Sequence, residues 1–415
     1  MKLRIIRARP ERFGGIVETE RPRALLHVDR RMMRELGHAD SPLWTDEMRA
    51  DAPLSAPTEV HVVLSRRCSA GCSGCYVDAT PEGASLSLRD ARSILDELAA
   101  IGVFHVALGG GEALDLPYLF EVAMYARSVG ITPNLTTSGL GLTARDADRC
   151  RVFGQINVSV DGVGERYRRA RGFDGFAHAE RALRLLRAAK EEVGVNCVVS
   201  RASFDGLGEV ARLVRRLRLN ELELLRFKPV GRGAHKDDEL TPAQARRIYP
   251  LARRLMLRHR IRVKLDCSFA PMVFWHRPSP RAAAFWGVQG CVAGDVLAAV
   301  APEGTLMACS FAGGTAVDAR IPGNIRSVWA SSFAPFREFV ASAPEPCASC
   351  DYLRLCRGGC RAVANAHGRQ SDPDPGCPRV QEWRARHGPR GVEVSVPPAE
   401  EPAPRRSFAL PVVRG

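Results

Sequence analysis

The sequence predicts an α/β protein built on a parallel sheet, and three observations carry that prediction. Short β-rich runs alternate with helical patterns after residue 56, which is the signature of βα units. The helical stretches repeat apolar residues at i, i+3 and i+4, so each has one face to lay on a sheet. At ~150 residues per domain, 415 residues give two or three domains and ample core. Composition agrees: 45% apolar and 26% charged residues place the chain among globular proteins and exclude wholesale disorder, collagen-like and coiled-coil chains.

Taken in order, residues 1–56 are arginine-rich and form an N-terminal segment of unassigned role, with a short helix over Arg30 to Leu36. A connector, Ala52-Pro53-Leu54-Ser55-Ala56-Pro57, follows. Six strands are predicted: Glu59 to Leu64, Val103 to Leu108, Ile131 to Thr136, Gln155 to Val160, Val193 to Val199 and Glu221 to Phe227. Ala91, Ile94, Leu95 and Leu98, and then Val210, Leu213, Val214 and Leu217, mark apolar helix faces between them. Ser87 with Asp90 reads as a capping box, and Thr241-Pro242-Ala243-Gln244 sets an N-cap, a first-turn proline and a box partner before a further helix. A seventh strand, Ile261 to Leu265, follows that helix. Residues 57–266 thus form the α/β core. Residues 267–378 are irregular and rich in Gly, Pro and Cys, a segment that needs crosslinks or bound metal to order itself. Residues 379–415 have a linker's composition and read as a disordered tail.

No run approaches the ~20 apolar residues of a membrane span, and charges interrupt Met1-Lys2-Leu3-Arg4-Ile5-Ile6-Arg7 before a signal-peptide core can form. The expectation is a cytoplasmic protein with no membrane partner. The net charge of +14 comes from 60 basic against 46 acidic residues, five of the basic ones lysine. Scattered arginines without interleaved aromatics argue against a nucleic-acid partner.

Thirteen cysteines, an odd number, argue against a disulfide framework in a reducing compartment and for metal or cluster binding. Cys68, Cys72 and Cys75 cluster early; Cys291, Cys309, Cys347, Cys350, Cys356, Cys360 and Cys377 crowd the last third; Cys150, Cys197 and Cys267 stand apart. Cys68-x3-Cys72-x2-Cys75 follows the first strand, at the sheet edge where parallel α/β proteins place their chemistry. Three thiolates can hold three corners of an iron–sulfur cube, whereas structural zinc asks for a fourth ligand nearby. His61, on the preceding strand, points into the sheet or solvent. The second strand ends in Gly109-Gly110-Gly111-Glu112, which lacks the residues of a phosphate loop, and whose carboxylate suits a cationic amine.

These residues resemble radical S-adenosylmethionine (radical SAM) enzymes, with CxxxCxxC after the first strand and a GGE-type turn after the second. The resemblance implies a partial (β/α)6 barrel in which Cys68, Cys72 and Cys75 hold a 4Fe-4S cluster chelated by SAM. It also implies Glu112 at the SAM ammonium, Gly110 and Gly111 opening the backbone, and Tyr76 near the adenine. Ser138, Ser159, Asp161 and Asn196, at later strand ends, are the expected contacts to the ribose and methionine carboxylate. Arg171 or Arg201 would pair with that carboxylate, an ordinary surface arginine being the alternative for each.

Cys291, Gly304-x4-Cys309, Cys347-x2-Cys350-x5-Cys356-x3-Cys360 and Cys377 resemble the SPASM extension of radical SAM enzymes, which carries two auxiliary 4Fe-4S clusters. The family's interleaving assigns Cys291, Cys309 and Cys360 to the first auxiliary cluster and Cys347, Cys350, Cys356 and Cys377 to the second. The first is then one ligand short: either Cys267 supplies it, from much further along the chain than in eight-cysteine relatives, or an iron stays open. Cys150 and Cys197 are expected to be packing residues. A zinc-ribbon reading of the last third is the structural alternative.

With Arg226-Phe227-Lys228-Pro229-Val230-Gly231-Arg232-Gly233 and Cys356-Arg357-Gly358-Gly359-Cys360, the pattern resembles peptide-modifying maturases such as those of mycofactocin. That implies oxidative modification of a ribosomally made precursor peptide, three 4Fe-4S clusters with SAM, and an electron donor such as flavodoxin or ferredoxin. Residues 1–56 are too short for a full leader-recognition domain, so a separate recognition protein is implied. Sulfatase-type maturation, tetrapyrrole or other small-molecule chemistry, and a zinc scaffold are the other readings.

Overall fold

The computed structural model describes residues 4–20, 23–38, 41–45, 53–190, 192–329 and 331–388. The first element is one the sequence reading missed: a three-stranded antiparallel meander of β1 (Ile5–Glu11), β2 (Gly14–Glu20) and β3 (Arg23–Asp29). Its strands carry few alternating apolar residues, and Pro10 fits only because β1 is an edge strand. The expected short helix forms over Arg30–Glu35, capped by the Asp29 carboxylate, which accepts from Met32 N at 2.8 Å.

Arginines fasten this meander to the rest of the molecule. Arg9 donates to the carbonyls of Ala56 and Pro57 at 2.8 Å and of Gly102 at 3.0 Å while paired with Glu11. Arg7 donates to the carbonyls of Ala99 and Val103 at 2.7 Å.

The predicted parallel strands all form: β4 (Glu59–Ser65), β5 (His105–Gly110), β6 (Thr132–Thr137), β7 (Ile156–Ser159), β8 (Val193–Val199), β9 (Glu221–Arg226) and β10 (Arg262–Leu265). Each pairs in parallel with the next, so all their C-terminal ends share one edge. The helix Leu88–Ala100 buries Ala91, Ile94, Leu95 and Leu98 on this sheet, and Leu207–Arg216 buries Val210, Leu213 and Val214. Each such aliphatic side chain contributes about 1.5–3 kcal/mol. Ser87 caps the first of these helices, and the Thr241–Gln244 capping box with Pro242 starts Pro242–His259.

Two expectations about the C-terminal third change. Residues 267–378 are not irregular throughout: β11 (Leu297–Val300) pairs in parallel with the open edge of β4, and β12 (Thr305–Met307) and β13 (Gly314–Asp318) extend the sheet antiparallel. Strands this short leave no periodicity to read; the free edge of β4 pairs with β11, which in turn pairs with β12, and β12 with β13. The linker-like composition does not begin to act at 379. Residues 379–387 continue a helix, Pro378–His387, that buries Val380 against Pro242–His259 and Ala270–Trp275. The remainder of the predicted tail, 389–415, lies outside the described residues. No helix among the described residues is long and apolar enough to cross a membrane.

Candidate functional site

The common strand edge opens on a cavity of about 1320 Å³ that reaches back through the sheet interior. Cys68, Cys72, Cys75, Tyr76, Gly110, Gly111, Ser138, Ser159, Asp161, Arg171 and Asn196 all line it. The structure therefore brings together the three early cysteines and all but one of the expected cofactor contacts. The exception is Glu112, 1% exposed, whose carboxylate is taken up by Thr137 and Ser138.

The cysteine loop is a stitched excursion from β4. Arg66 N donates to Ala84 O at 2.7 Å, Cys68 N to Thr80 O at 2.9 Å and Thr80 N to Arg66 O at 2.9 Å. Backbone amides already point at two sulfurs: Ala70 N lies 3.4 Å from Cys68 Sγ and Ala79 N 3.4 Å from Cys75 Sγ. Such donors favour thiolate over thiol. The glycine turn presses on the root of this loop. A Cβ on Gly111 would sit 2.0 Å from Arg67 O, and one on Gly110, whose φ is +125°, 2.2 Å from Ser65 O. These glycines are thus demanded by the seam between the two loops as well as by the cavity.

Glu112 works as the anchor of the third strand's loop. Its carboxylate accepts from Thr137 Oγ1 at 2.6 Å, Ser138 N at 2.8 Å, Leu114 N at 3.1 Å and the Ser138 hydroxyl. Burial pushes its carboxyl up, opposed by the bonds from Ser138 and Thr137.

Asp161 and Arg171 form a buried pair at 3.0 Å, and Asp161 also accepts from Val198 N at 2.7 Å. Arg171 Nη2 lies 3.5 Å from Cys72 Sγ. Among the described residues its Nε is buried without a hydrogen-bond partner. That orphaned donor beside a cysteine sulfur suits an anionic ligand group, since an unmet buried donor costs about 1–3 kcal/mol. Arg201 is separated from this site: it is exposed and pairs with Asp237 at 2.9 Å, the surface alternative.

Several cavity residues escaped the sequence reading. Glu223 lies beside Asn196 and Lys264 in register. It accepts from Asn157 Nδ2 at 3.2 Å, and burial pushes its carboxyl up to about 7, with Lys264 opposing. His61 points neither into the sheet nor to open solvent: it lines the cavity and bonds Ser310 Oγ at 2.9 Å and Glu59 Oε1 at 3.0 Å. Their strand positions were legible, but charged residues on a barrel interior look the same as charged residues on a solvent face until closure is known.

The later cysteines fall into two sets. Burial first, then the charges of Asp266, Cys291 and Cys360, push the Cys267 thiol well above its ordinary value. Burial, followed by Cys291 and Cys360, pushes Cys309 up to about 12. In the other set burial pushes Cys347 up to about 12, with Cys377 and Cys350 next, and Cys356 rises with Cys377, Cys347 and Cys350 beside it. Thiols so crowded repel one another as thiolates, and bound cations relieve that repulsion. Among the described residues no three or more His, Cys, Asp or Glu side chains are arranged to hold a single metal ion. Thiolates on an iron–sulfur cube bind separate irons and do not ask for that arrangement. Cys150 and Cys197, 0% exposed, are core residues as expected.

A buried bidentate pair staples the two sets. Arg226 meets Asp374 at 2.6 and 3.1 Å, and Asp374 also accepts from Cys360 N at 2.9 Å and Gly376 N at 2.8 Å. Arg226 reaches the carbonyl of Ser268, next to Cys267, at 3.3 Å. Gly290 N donates to Leu355 O at 2.7 Å, with no room for a Cβ against Cys356 O.

Comparison with known proteins agrees with this geometry. Residues 62–214 match the Radical SAM superfamily model. Mycofactocin maturase MftC of Mycolicibacterium smegmatis is 31% identical over 355 residues, covering 82% of this chain and 86% of MftC. PqqA peptide cyclase of Ruegeria pomeroyi is 28% identical over 349 residues, covering 80% and 89%. Streptococcus suis SuiB bound to precursor peptide SuiA superposes with a TM-score of 0.71 at 15% identity, covering 91% of this chain and all of that one, a likeness of fold.

Proposed function

The chain belongs to the radical SAM superfamily, and from that membership we propose that it oxidatively modifies a ribosomally made precursor peptide. Membership brings SAM and a 4Fe-4S cluster, which when bound supply a 5′-deoxyadenosyl radical; the hard chemistry is the cofactor's. Cys68, Cys72 and Cys75 are the proposed ligands of that cluster.

The observation that carries the reading is the single cavity in which those cysteines, the glycine turn and the unmatched Arg171 Nε converge. At about 1320 Å³ it exceeds the ~300–1,000 Å³ of an ordinary small-molecule site, leaving room for a substrate segment beside a cofactor. Arg171, held by Asp161, offers its free Nε to the SAM carboxylate, and Ser138, Ser159 and Asn196 offer short polar groups. Glu112 fixes Ser138 and Thr137. Its carboxylate, bonded to Thr137, Ser138 and Leu114, positions the third strand's loop, and Glu112 stays the proposed partner of the SAM ammonium. Tyr76 packs on Phe311 with ring centroids 4.8 Å apart, closing the cavity beside the cysteine loop. Glu223, titrating at about 7, takes the proton that an oxidised substrate loses.

Cys267, Cys291, Cys309 and Cys360 are the proposed ligands of a first auxiliary 4Fe-4S cluster, and Cys347, Cys350, Cys356 and Cys377 of a second. Placing Cys267 in the first set removes the open iron that the spacing had left, and it rests on the shared electrostatics with Cys291 and Cys360 and on the Arg226 bridge. A separate leader-recognition protein and a flavodoxin or ferredoxin as electron donor complete the system. Peptide modification is favoured over tetrapyrrole chemistry by the 31% identity to MftC, against 28% over 359 residues to an AdoMet-dependent heme synthase of Methanosarcina barkeri. Oxygen-free protein given SAM, reductant and the peptide encoded beside its gene is expected to form 5′-deoxyadenosine and a peptide of altered mass. Unaltered peptide alongside turnover of a tetrapyrrole precursor overturns the substrate assignment.

A further inference from the structure

Lys228 is buried, 7% exposed, in a place where a lysine is costly. It closes the sixth parallel strand's loop, between the cavity that it lines and the cysteine set of Cys267, Cys291, Cys309 and Cys360. Its Nζ donates to Asp266 Oδ2 at 2.7 Å and to Arg226 O at 3.2 Å. Asp266 immediately precedes Cys267. The ammonium also lies 4.4 Å from the centroid of the Phe311 ring, two residues beyond Cys309. Phe311 in turn packs on Tyr76, the residue after Cys75. One cation therefore stands where the two cysteine regions approach each other.

We propose that Lys228 sets the electron affinity of this cysteine set, its fixed positive charge making a cluster there easier to reduce by one electron. The inference rests on the reading that these cysteines hold a 4Fe-4S cluster. The physical reason is Coulombic. A one-electron oxidation of a substrate radical sends one electron to the cluster and one proton to a base, and the electron leaves afterwards to a flavin or iron–sulfur protein. The cluster's negative charge rises by one in that step, and a buried cation nearby lowers its cost far more than in water. The other charges facing the set do not replace Lys228. Arg226 is matched bidentately by Asp374, whereas Lys228 meets Asp266 through a single contact, so the two members of that pair act on the set with opposite sign. Asp266 has a second donor in Ser268 Oγ at 2.6 Å, so it is not left bare when the lysine is removed.

The test uses the full chain carrying Cys68→Ala, Cys72→Ala and Cys75→Ala, so that only the later cysteines take iron, with potentials read by spectroelectrochemistry and electron paramagnetic resonance. Lys228→Met is expected to lower the reduced fraction of one auxiliary signal at least tenfold at fixed potential, a shift of about 59 mV to the negative. Asp266→Asn is expected to shift the same signal to the positive, and Lys228→Arg to leave it near the parent. Opposite shifts from the two members of one ion pair are not what loosened packing gives. Equal iron content with unchanged potentials, or shifts of the same sign in both variants, overturns the role of Lys228. A parent that takes up no iron overturns the auxiliary-cluster reading itself, a separate result.

Discussion

The two cysteine regions solve different problems with the same atom. The early trio sits on a loop held by backbone hydrogen bonds at the mouth of a large cavity, with a guanidinium at Cys72 Sγ whose Nε has no partner. In the late set burial and neighbouring thiols raise Cys267, Cys309, Cys347 and Cys356, and the Arg226–Asp374 pair ties its segments together. A thiol trio that lines the cavity beside an unmatched donor is built to receive something. Thiols stapled by a buried ion pair are built to keep what they hold.

That contrast can be broken or sharpened by mutation. The largest effect is expected from Cys72→Ala, which abolishes SAM cleavage, measured as 5′-deoxyadenosine, while iron bound by the late cysteines remains. Cys350→Ala should do the reverse, keeping SAM cleavage but losing modified product. If both variants turn over unchanged, the division between the regions is false. Asp374→Ala leaves the buried Arg226 only a distant carboxylate, Glu239 at 4.0 Å, and is expected to cost about 3 kcal/mol, read as a lowered denaturation midpoint. A variant as stable as the parent removes the staple argument. Glu223→Gln is expected to slow product formation about 10²-fold, roughly 2.7 kcal/mol. With the carboxyl at about 7 and the deprotonated form as base, parent product formation rises as pH increases through about 7. The Gln variant should show no such rise, while SAM cleavage without peptide stays level in both.

The strands of the parallel sheet were legible to within a residue or two because short β-rich runs alternate with helices that write a 3.6-residue period. The cysteine spacings were legible because a metal site asks for particular residue types close together. Three features were not. The N-terminal meander is held to the barrel by Arg7 and Arg9 bonding carbonyls far along the chain, which leaves no local pattern. β11 forms because β4 offers an edge, and the strand pair after Gly304 builds outward from β11. Arg201 and Arg171 look alike in sequence, and only folding sends one to the surface and the other into the cavity.

By itself, then, the order of residues determined the α/β class, the positions of the parallel strands and the membership of the cysteine motifs, since all of these are short-range properties of the chain. Tertiary structure alone decided that Glu112 is spent on Thr137 and Ser138, that Cys267 lies within Coulombic reach of Cys291 and Cys360, and that Lys228 lines the cavity within Coulombic reach of Cys267 and Cys360. Those outcomes depend on which distant groups are brought within hydrogen-bonding or Coulombic reach, and on how much water burial removes between them.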